Sequence, residues 1–206
     1  MGSVLLVRHG QTTWNAEGRW QGWADSPLSD LGHRQAKAAA GAIGAIDAIA
    51  ASDLSRAMDT AATIAGELGV GPVVVEPDLR ERSVGEFSGL TREEISVRWP
   101  EMAEVFAGRV RDHPMLLQPP GGESPEEVVA RAVPALLRVA ALGETVVAVS
   151  HGGLIGALER HLGAEHVRIP NLGARWFHVD GGQIEVGERM VLIDEHQVHV
   201  TRPPEV

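Results

Sequence analysis

Val4-Leu5-Leu6-Val7-Arg8-His9-Gly10-Gln11-Thr12 opens the chain with an apolar run that gives way at once to an arginine, a histidine and a glycine. The run is far too short for a membrane span or a secretory signal core and reads as a strand. Later the same layout returns: Thr145-Val146-Val147-Ala148-Val149 leads into Ser150-His151-Gly152-Gly153. Ala48 to Ala51 leads into Ser52-Asp53-Leu54-Ser55-Arg56, and Pro72 to Val75 is the remaining candidate strand. Three of these four runs are followed by a polar turn and a stretch of helical length. That βα arrangement places loop residues at the carboxyl edge of a parallel sheet. The predicted fold class is therefore α/β, a three-layer sandwich with a mostly parallel central sheet flanked by helices.

Helix starts are legible around these strands. Ser29 precedes an alanine-rich stretch, Asp53 precedes a helix expected over Leu54 to Leu68, and Thr91 with Glu94 and Ser124 with Glu127 form two capping boxes. Pro125 at a first helical position strengthens the last of these, and Gly69 and Gly71 close the second helix. Pro100 interrupts the region after Trp99, which predicts two short helices or one broken one over 91–110. This region reads as a helical cap inserted at about 90–120. Beyond residue 170 the apolar positions change to Trp176 and His178, then Ile184 and Val186, then Val191 to Ile193, with Gly181-Gly182 as a hairpin turn between the first two runs. Thr201 to Val206 reads as a frayed tail.

Composition narrows the function. With 206 residues, 44% of them hydrophobic, the chain can bury one full core, so 1–206 is expected to be a single domain. Its 28 acidic and 18 basic side chains give a formal charge of -10, which argues against a general nucleic-acid or membrane-surface binder. Any anionic ligand must then meet a local positive cluster. The absence of cysteine removes thiolate zinc sites, iron-sulfur clusters and cysteine nucleophiles. Lys37 is the only lysine and stands in no Walker-type loop, so P-loop and Schiff-base chemistry also fall away. The chain is expected to be soluble and cytoplasmic.

Arg8 and His9, Arg56 in the first turn of its helix, and His151 all belong to the same predicted sheet edge. Two guanidinium groups, helix amides and imidazoles in one place suit a phosphate monoester dianion. A neutral imidazole is a nucleophile at pH 7, and the arginines supply charge to the phosphoryl oxygens without a metal. The remaining histidines, His33, His113, His161, His166, His178, His196 and His199, show no metal-ligand spacing and read as surface or packing residues.

With these residues in view, the chain resembles the histidine phosphatase superfamily, the phosphoglycerate mutase-like group, over nearly its whole length. The resemblance rests on R-H-G-Q-T at 8–12, Trp14-Asn15, Gln21-Gly22-Trp23 with Pro27-Leu28-Ser29 and Leu31-Gly32, S-D-L-S-R-A at 52–57 with Thr60-Ala61, Leu79-Arg80-Glu81 with Gly85 and Gly89, Gly121-Gly122-Glu123-Ser124, and Ser150-His151-Gly152-Gly153. It implies His9 as the phosphorylated nucleophile, Glu81 as proton donor to the leaving oxygen, and Arg8, Arg56 and His151 around the phosphoryl group. It further implies substrate contacts from Asn15, Gln21, Gly22 and Gly152, with no metal and no cofactor. His151 is expected to stay protonated beside the phosphate. Glu81 is expected to serve as acid and then as base, with Glu86 its nearest rival on the same loop.

Among members of this group, the small phosphatases are the nearer match, through Gln21, the run from Pro120 to Ser124 and the short stretch from Leu90 to Gly121. The expected activity is hydrolysis of a small phosphorylated metabolite through a phosphohistidine. A cofactor-dependent phosphoglycerate mutase is the alternative, kept open by Arg109 and Arg111, which could clamp a second charged end. A non-catalytic phospho-ligand binding module is the third reading, disfavoured because every core group is present. The roles of Arg80 and Arg82 are open, as is the choice between monomer and homodimer. Trp14, Trp20 and Trp23 either line the pocket mouth or pack beneath a loop.

Overall fold

The computed structural model describes residues 2–110, 114–165 and 167–193. Among these, six strands form one sheet: β1 (Gly2–Arg8), β2 (Ala48–Ala51), β3 (Val74–Val75), β4 (Thr145–Ser150), β5 (Gly173–Asp180) and β6 (Gln183–Val191), in the order β3-β2-β4-β1-β5-β6. β3, β2, β4 and β1 are parallel, and β5 and β6 add an antiparallel edge. The helices are α1 (Thr13–Glu17), α2 (Asp30–Ala40), α3 (Ser55–Leu68), α4 (Arg92–Arg98), α5 (Met102–Phe106), α6 (Pro114–Leu117), α7 (Pro125–Ala140) and α8 (Gly152–His161). None is long and apolar enough to cross a membrane.

The alternation of β1 explains the three layers. Val4 and Leu6 point to a core built with Val128, Leu136, Leu154 and Leu158 of α7 and α8. Leu5 and Val7 point the other way, to Ala39, Ala57, Ala61 and Ile64 of α2 and α3. Both faces of the strand are buried because helices cover both, which is why its sequence is continuously apolar. A third cluster, Val84, Phe87, Ile95, Met102 and Val105, lies under α4 and α5. There Pro100 separates two helices, and Trp99 meets Phe87 edge-on at 4.9 Å.

Both predicted capping boxes form, and Ser29 accepts from the Gly32 amide. Gly181 and Gly182 take positive φ in the β5–β6 turn, as the hairpin reading required. Other boundaries shift. The strand expected over Pro72 to Val75 shrinks to Val74–Val75 at the sheet edge, where Pro72 has no amide to donate. α3 starts at Ser55 after Leu54, and Asp53 does not cap it, because its carboxylate pairs with the Arg80 guanidinium. β6 runs unbroken to Val191, so no separate strand covers Val191 to Ile193. A capping box between Thr12 and Asn15, absent from the sequence reading, starts α1. Arg111, His113, His166, His196, His199 and the tail Thr201 to Val206 lie outside the described residues.

Candidate active site

Parallel pairing of β1 with β4 sets Arg8 opposite Ser150, so the next residues of each strand, His9 and His151, emerge side by side. The His9 amide donates to the Ser150 carbonyl at 3.0 Å. A cleft of about 600 Å³ opens at this edge, lined by Arg8, His9, Asn15, Gln21, Gly22, Arg56, Glu81 and Gly153 among others. The topology therefore gathers loop residues far apart in the chain around one strand pair.

His9 is buried, and its Nδ1 lies 2.7 Å from the Gly10 carbonyl oxygen. A carbonyl only accepts, so Nδ1 carries the proton and Nε2 keeps its lone pair. Burial, then the neighbouring guanidinium groups of Arg56 and Arg8, hold the ring well below the usual histidine range, so it is neutral at pH 7. Its backbone is pinned as well. The Gly10 amide donates to Thr60 Oγ1 at 3.1 Å, and Asn171 Nδ2 donates to the His9 carbonyl at 2.9 Å.

His151 is completely buried, with Nε2 3.0 Å from Ser52 Oγ and Nδ1 without a partner. Without a ligand the ring is held well below the usual histidine range, whereas the expectation of a protonated His151 concerns the site with phosphate bound. Burial is the first cause and Arg56 the second. Arg56 is tied down in the ligand-free site. Its Nη1 donates to the Ala24 carbonyl at 2.9 Å and its Nη2 to the Gly22 carbonyl at 2.7 Å, so the guanidinium fork is tied to the loop. The buried Nε has no partner. Arg8 donates from Nη1 to the Ile169 carbonyl at 2.8 Å, and burial, followed by Arg168, lowers its guanidinium to about 10, still protonated at pH 7.

Gln21 Oε1, Arg56 Nε and His151 Nδ1 are thus three buried polar atoms at this edge without a hydrogen-bond partner. Such atoms are rare, and two of them here can donate to an incoming oxyanion. Asn15 lines the cleft, but its Oδ1 accepts from the Thr12 amide at 3.2 Å, leaving the Nδ2 end for a ligand. The carbonyl of Gly22 holds Arg56, while φ of +53° at this position requires glycine. Gly152 packs against the Arg8 side chain, whereas Gly153 lines the cleft.

Glu81 sits at the N-terminus of α8. Its Oε2 accepts from Gly153 N at 3.0 Å, and its Oε1 from Leu154 N at 3.1 Å and Arg82 N at 2.7 Å. The rival Glu86 lies on the surface in an ion pair with Arg98 and is absent from the cleft wall. Arg131 holds the Glu81 loop from behind, donating to the carbonyls of Asp78 and Arg80 at 2.8 Å and of Glu81 at 2.9 Å while pairing with Glu123. Sequence reasoning missed Arg131 and Asn171. The signal for Arg131 was a charge beside Val128 and Ala132 on the apolar side of α7; Asn171 carried none.

The other open residues also find their places. Arg80 pairs with Asp53 and lies over Trp23, and Arg82 lines the cleft and reaches the Leu116 carbonyl. Arg109 pairs with Glu104 on the surface. Trp20 lines the cleft and packs on Phe87 and Phe106, Trp14 lies against Gly89, and Trp23 donates to the Glu81 carbonyl. Among the described residues no group of histidine and carboxylate side chains is arranged to hold a metal ion.

Comparison with known proteins agrees with this geometry. The chain is 41% identical over 160 residues to a metal-independent phosphoserine phosphatase of Arabidopsis thaliana, covering 75% of this chain and 66% of that protein, so it spans about two thirds of that relative. It is 36% identical over 184 residues to a 2,3-bisphosphoglycerate-dependent phosphoglycerate mutase of Methylobacterium radiotolerans, covering 84% of each. A mycobacterial glucosyl-3-phosphoglycerate phosphatase, solved with VO3, superposes with a TM-score of 0.76 at 31% identity, over 91% of this chain and 98% of that one. Residues 4–187 match the sequence profile of the histidine phosphatase superfamily, branch 1, and the chain belongs to that family.

Proposed function

We propose that the protein is a metal-independent phosphatase that hydrolyses small-molecule phosphate monoesters through a phosphohistidine at His9. The observation that carries this reading is the pairing of a fixed Nε2 lone pair on His9 with the unpartnered donor of Arg56 and the free Nδ1 of His151. In the first step Nε2 attacks phosphorus, the bond to the ester oxygen breaks, and Glu81 as the acid gives its proton to the departing alkoxide. In the second, water attacks the phosphohistidine while the Glu81 carboxylate takes its proton. Phosphate leaves and Nε2 regains its electron pair. Arg8, Arg56 and His151 hold the equatorial oxygens, with Asn15, Gln21, Gly22 and the start of α8 at Gly152 completing the pocket.

The 90–120 segment acts as the cap of a single catalytic domain and walls the leaving-group side. The compartment proposed for this work is the cytoplasm, where small phosphorylated metabolites are held. A mutase is the second reading, favoured by the Methylobacterium relative. Against it, two of the cap arginines, Arg98 and Arg109, are each paired with a carboxylate, while Arg92 lies over the Phe106 ring and lines the cleft. The deciding experiment screens phosphate monoesters for phosphate release and tests 3-phosphoglycerate with and without 2,3-bisphosphoglycerate. Release without the bisphosphate supports a phosphatase, and isomerisation that requires it overturns that reading.

A further inference from the structure

Glu81 is held at both ends. Its carboxylate accepts from the amides of Arg82, Gly153 and Leu154, and its carbonyl accepts from Arg131 Nη2 at 2.9 Å and from Trp23 Nε1 at 2.7 Å. A carbonyl oxygen has two lone pairs, so these two donors fill it. Arg131 belongs to α7, whereas Trp23 belongs to the loop between α1 and α2, the same loop that ties down Arg56. With 44% of its surface exposed, the indole is not kept in place by burial alone.

Its neighbours set its position. The Arg56 fork grips the chain on either side of Trp23, through the carbonyls of Gly22 at 2.7 Å and Ala24 at 2.9 Å. Asp25 Oδ1 accepts from the Ser55 amide at 3.0 Å and from the Ser55 hydroxyl at 2.6 Å, which fastens the same loop to the first turn of α3. The Arg80 guanidinium lies over the indole, 5.1 Å from its centroid, and is itself held by both carboxylate oxygens of Asp53, with Nε 2.7 Å from Oδ1. Trp23 thus joins the loop that grips Arg56 to the loop that carries Glu81. Trp23, Arg80 and Asp53 are all absent from the cleft wall, so any effect they have on the reaction passes through residues that line it.

We propose that Trp23 is a positioning residue that sets Glu81 in register with Arg56, while Arg80 and Asp53 hold its ring. Proton donation needs the carboxyl oxygen within about 2.6–3.2 Å of the leaving oxygen, and a misplacement of about 1 Å costs on the order of 10²-fold. Arg56 helps to fix where the phosphorus sits, so a link from its loop to Glu81 keeps the acid aligned with the ester oxygen. The inference rests on the reading of Glu81 as the acid of a phosphatase.

The test is single-turnover phosphorylation of His9 by ethyl phosphate and by 4-nitrophenyl phosphate, whose phenol leaves without protonation. Trp23→Phe keeps a ring beneath Arg80 and removes the N–H. It should slow the reaction of ethyl phosphate about 3- to 10-fold, the range of one neutral hydrogen bond, and leave that of 4-nitrophenyl phosphate within about 2-fold. The ester concentration giving half the maximal rate should not move, since Trp23 stands outside the cleft wall. Added to Glu81→Gln, Trp23→Phe should bring no further ester-selective loss, because the proton it helps to aim is already gone. Arg80→Gln should give a selective loss in the same direction and speed hydrogen exchange of the Trp23 indole N–H, read by NMR, with the circular dichroism spectrum unchanged. No loss, equal slowing of both esters, weaker binding without a rate change, or a further selective loss on top of Glu81→Gln overturns the proposal. If Trp23→Phe does not fold, Arg80→Gln carries the test, and unchanged indole exchange with unselective kinetics overturns it. A Glu81→Gln variant without selectivity overturns the acid reading and the proposal together, whereas a selective Glu81→Gln beside an unselective Trp23→Phe overturns the proposal alone.

Discussion

The imidazole rings of His9 and His151 stand 5.2 Å apart, centroid to centroid, with their planes inclined by 58°. Both are buried, and that burial first, then the Arg56 guanidinium, holds both below the usual histidine range. One supplies a lone pair, fixed by the Gly10 carbonyl, and the other presents an unpartnered Nδ1. A proton placed on either ring opposes a second on its neighbour.

Their titration is therefore expected to depart from that of exposed histidines. In the ligand-free protein the ring resonances of His9 and His151 should stay at neutral positions as pH falls from 7.5 to about 5.5, on either side of the reference value near 6.5. Below about 6.5 the unfolded chain binds protons that the folded chain refuses, so stability falls with falling pH, by up to about 1.4 kcal/mol per pH unit for each ring. Above that value neither ring contributes a slope. Sulfate, a permanent dianion here, should move His151 toward protonation. NMR titration with and without sulfate checks both points, and a midpoint near 6.5 for both rings would refute the first.

His9→Ala should lower turnover by on the order of 10³-fold or more, since no other group supplies the attacking lone pair. Phosphohistidine is acid-labile, so quenching in base followed by mass mapping should locate the phosphoryl group on His9. Full activity of this variant would rule out the covalent route.

Glu81→Gln keeps size and removes the transferable proton. Single-turnover phosphorylation by an alkyl phosphate should fall by on the order of 10²-fold more than phosphorylation by an activated aryl phosphate, whose phenol leaves without protonation. Glu86→Gln, on the surface beside Arg98, should show no such difference. Gly153→Ala should imitate Glu81→Gln in part, because its new Cβ would lie 2.3 Å from Glu81 Oε1 and displace the carboxylate. A selective loss at Glu86, or equal losses on both esters at Glu81, contradicts the assignment.

Arg131 is a positioning residue, and Arg131→Met should cost about 2–4 kcal/mol by leaving Glu123 half-buried and unpaired. Its kcat on alkyl phosphates should fall more than its KM rises, because the loop that aims Glu81 loses three carbonyl contacts. Arg131→Met with Glu123→Gln should regain stability in urea titrations without regaining that kcat. Recovery of both together would make the role purely structural.

Dialysis against a chelator should leave turnover intact, since arginines and His151 supply the charge around the phosphoryl group. Loss of activity restored by one divalent ion would show that the electrophile has been misassigned.

Much of the fold was written locally. The apolar run before Arg8 and its counterpart before Ser150 announce two buried strands, and the boxes at Thr91 and Ser124 announce helix starts, because capping and periodicity act within a few residues. The hairpin at Gly181-Gly182 is legible for the same reason: positive φ at both positions favours glycine. The α3 start was misjudged at Asp53 because its partner, Arg80, is 27 residues away. A long-range ion pair overrode a local cap.

By itself the sequence determined the strand-end chemistry, His9 beside Arg8 and His151 before two glycines, since these residues are adjacent to the runs that bury them. Only the tertiary structure decided that Glu81 and not Glu86 borders the cleft, through amides 72 and 73 residues away. It also decided that the Arg56 fork is tied to carbonyls 32 and 34 residues away and that His151 is neutral without a ligand. Desolvation and hydrogen bonding set these outcomes, and both depend on which distant segments exclude water from a group, which no local pattern of residues encodes.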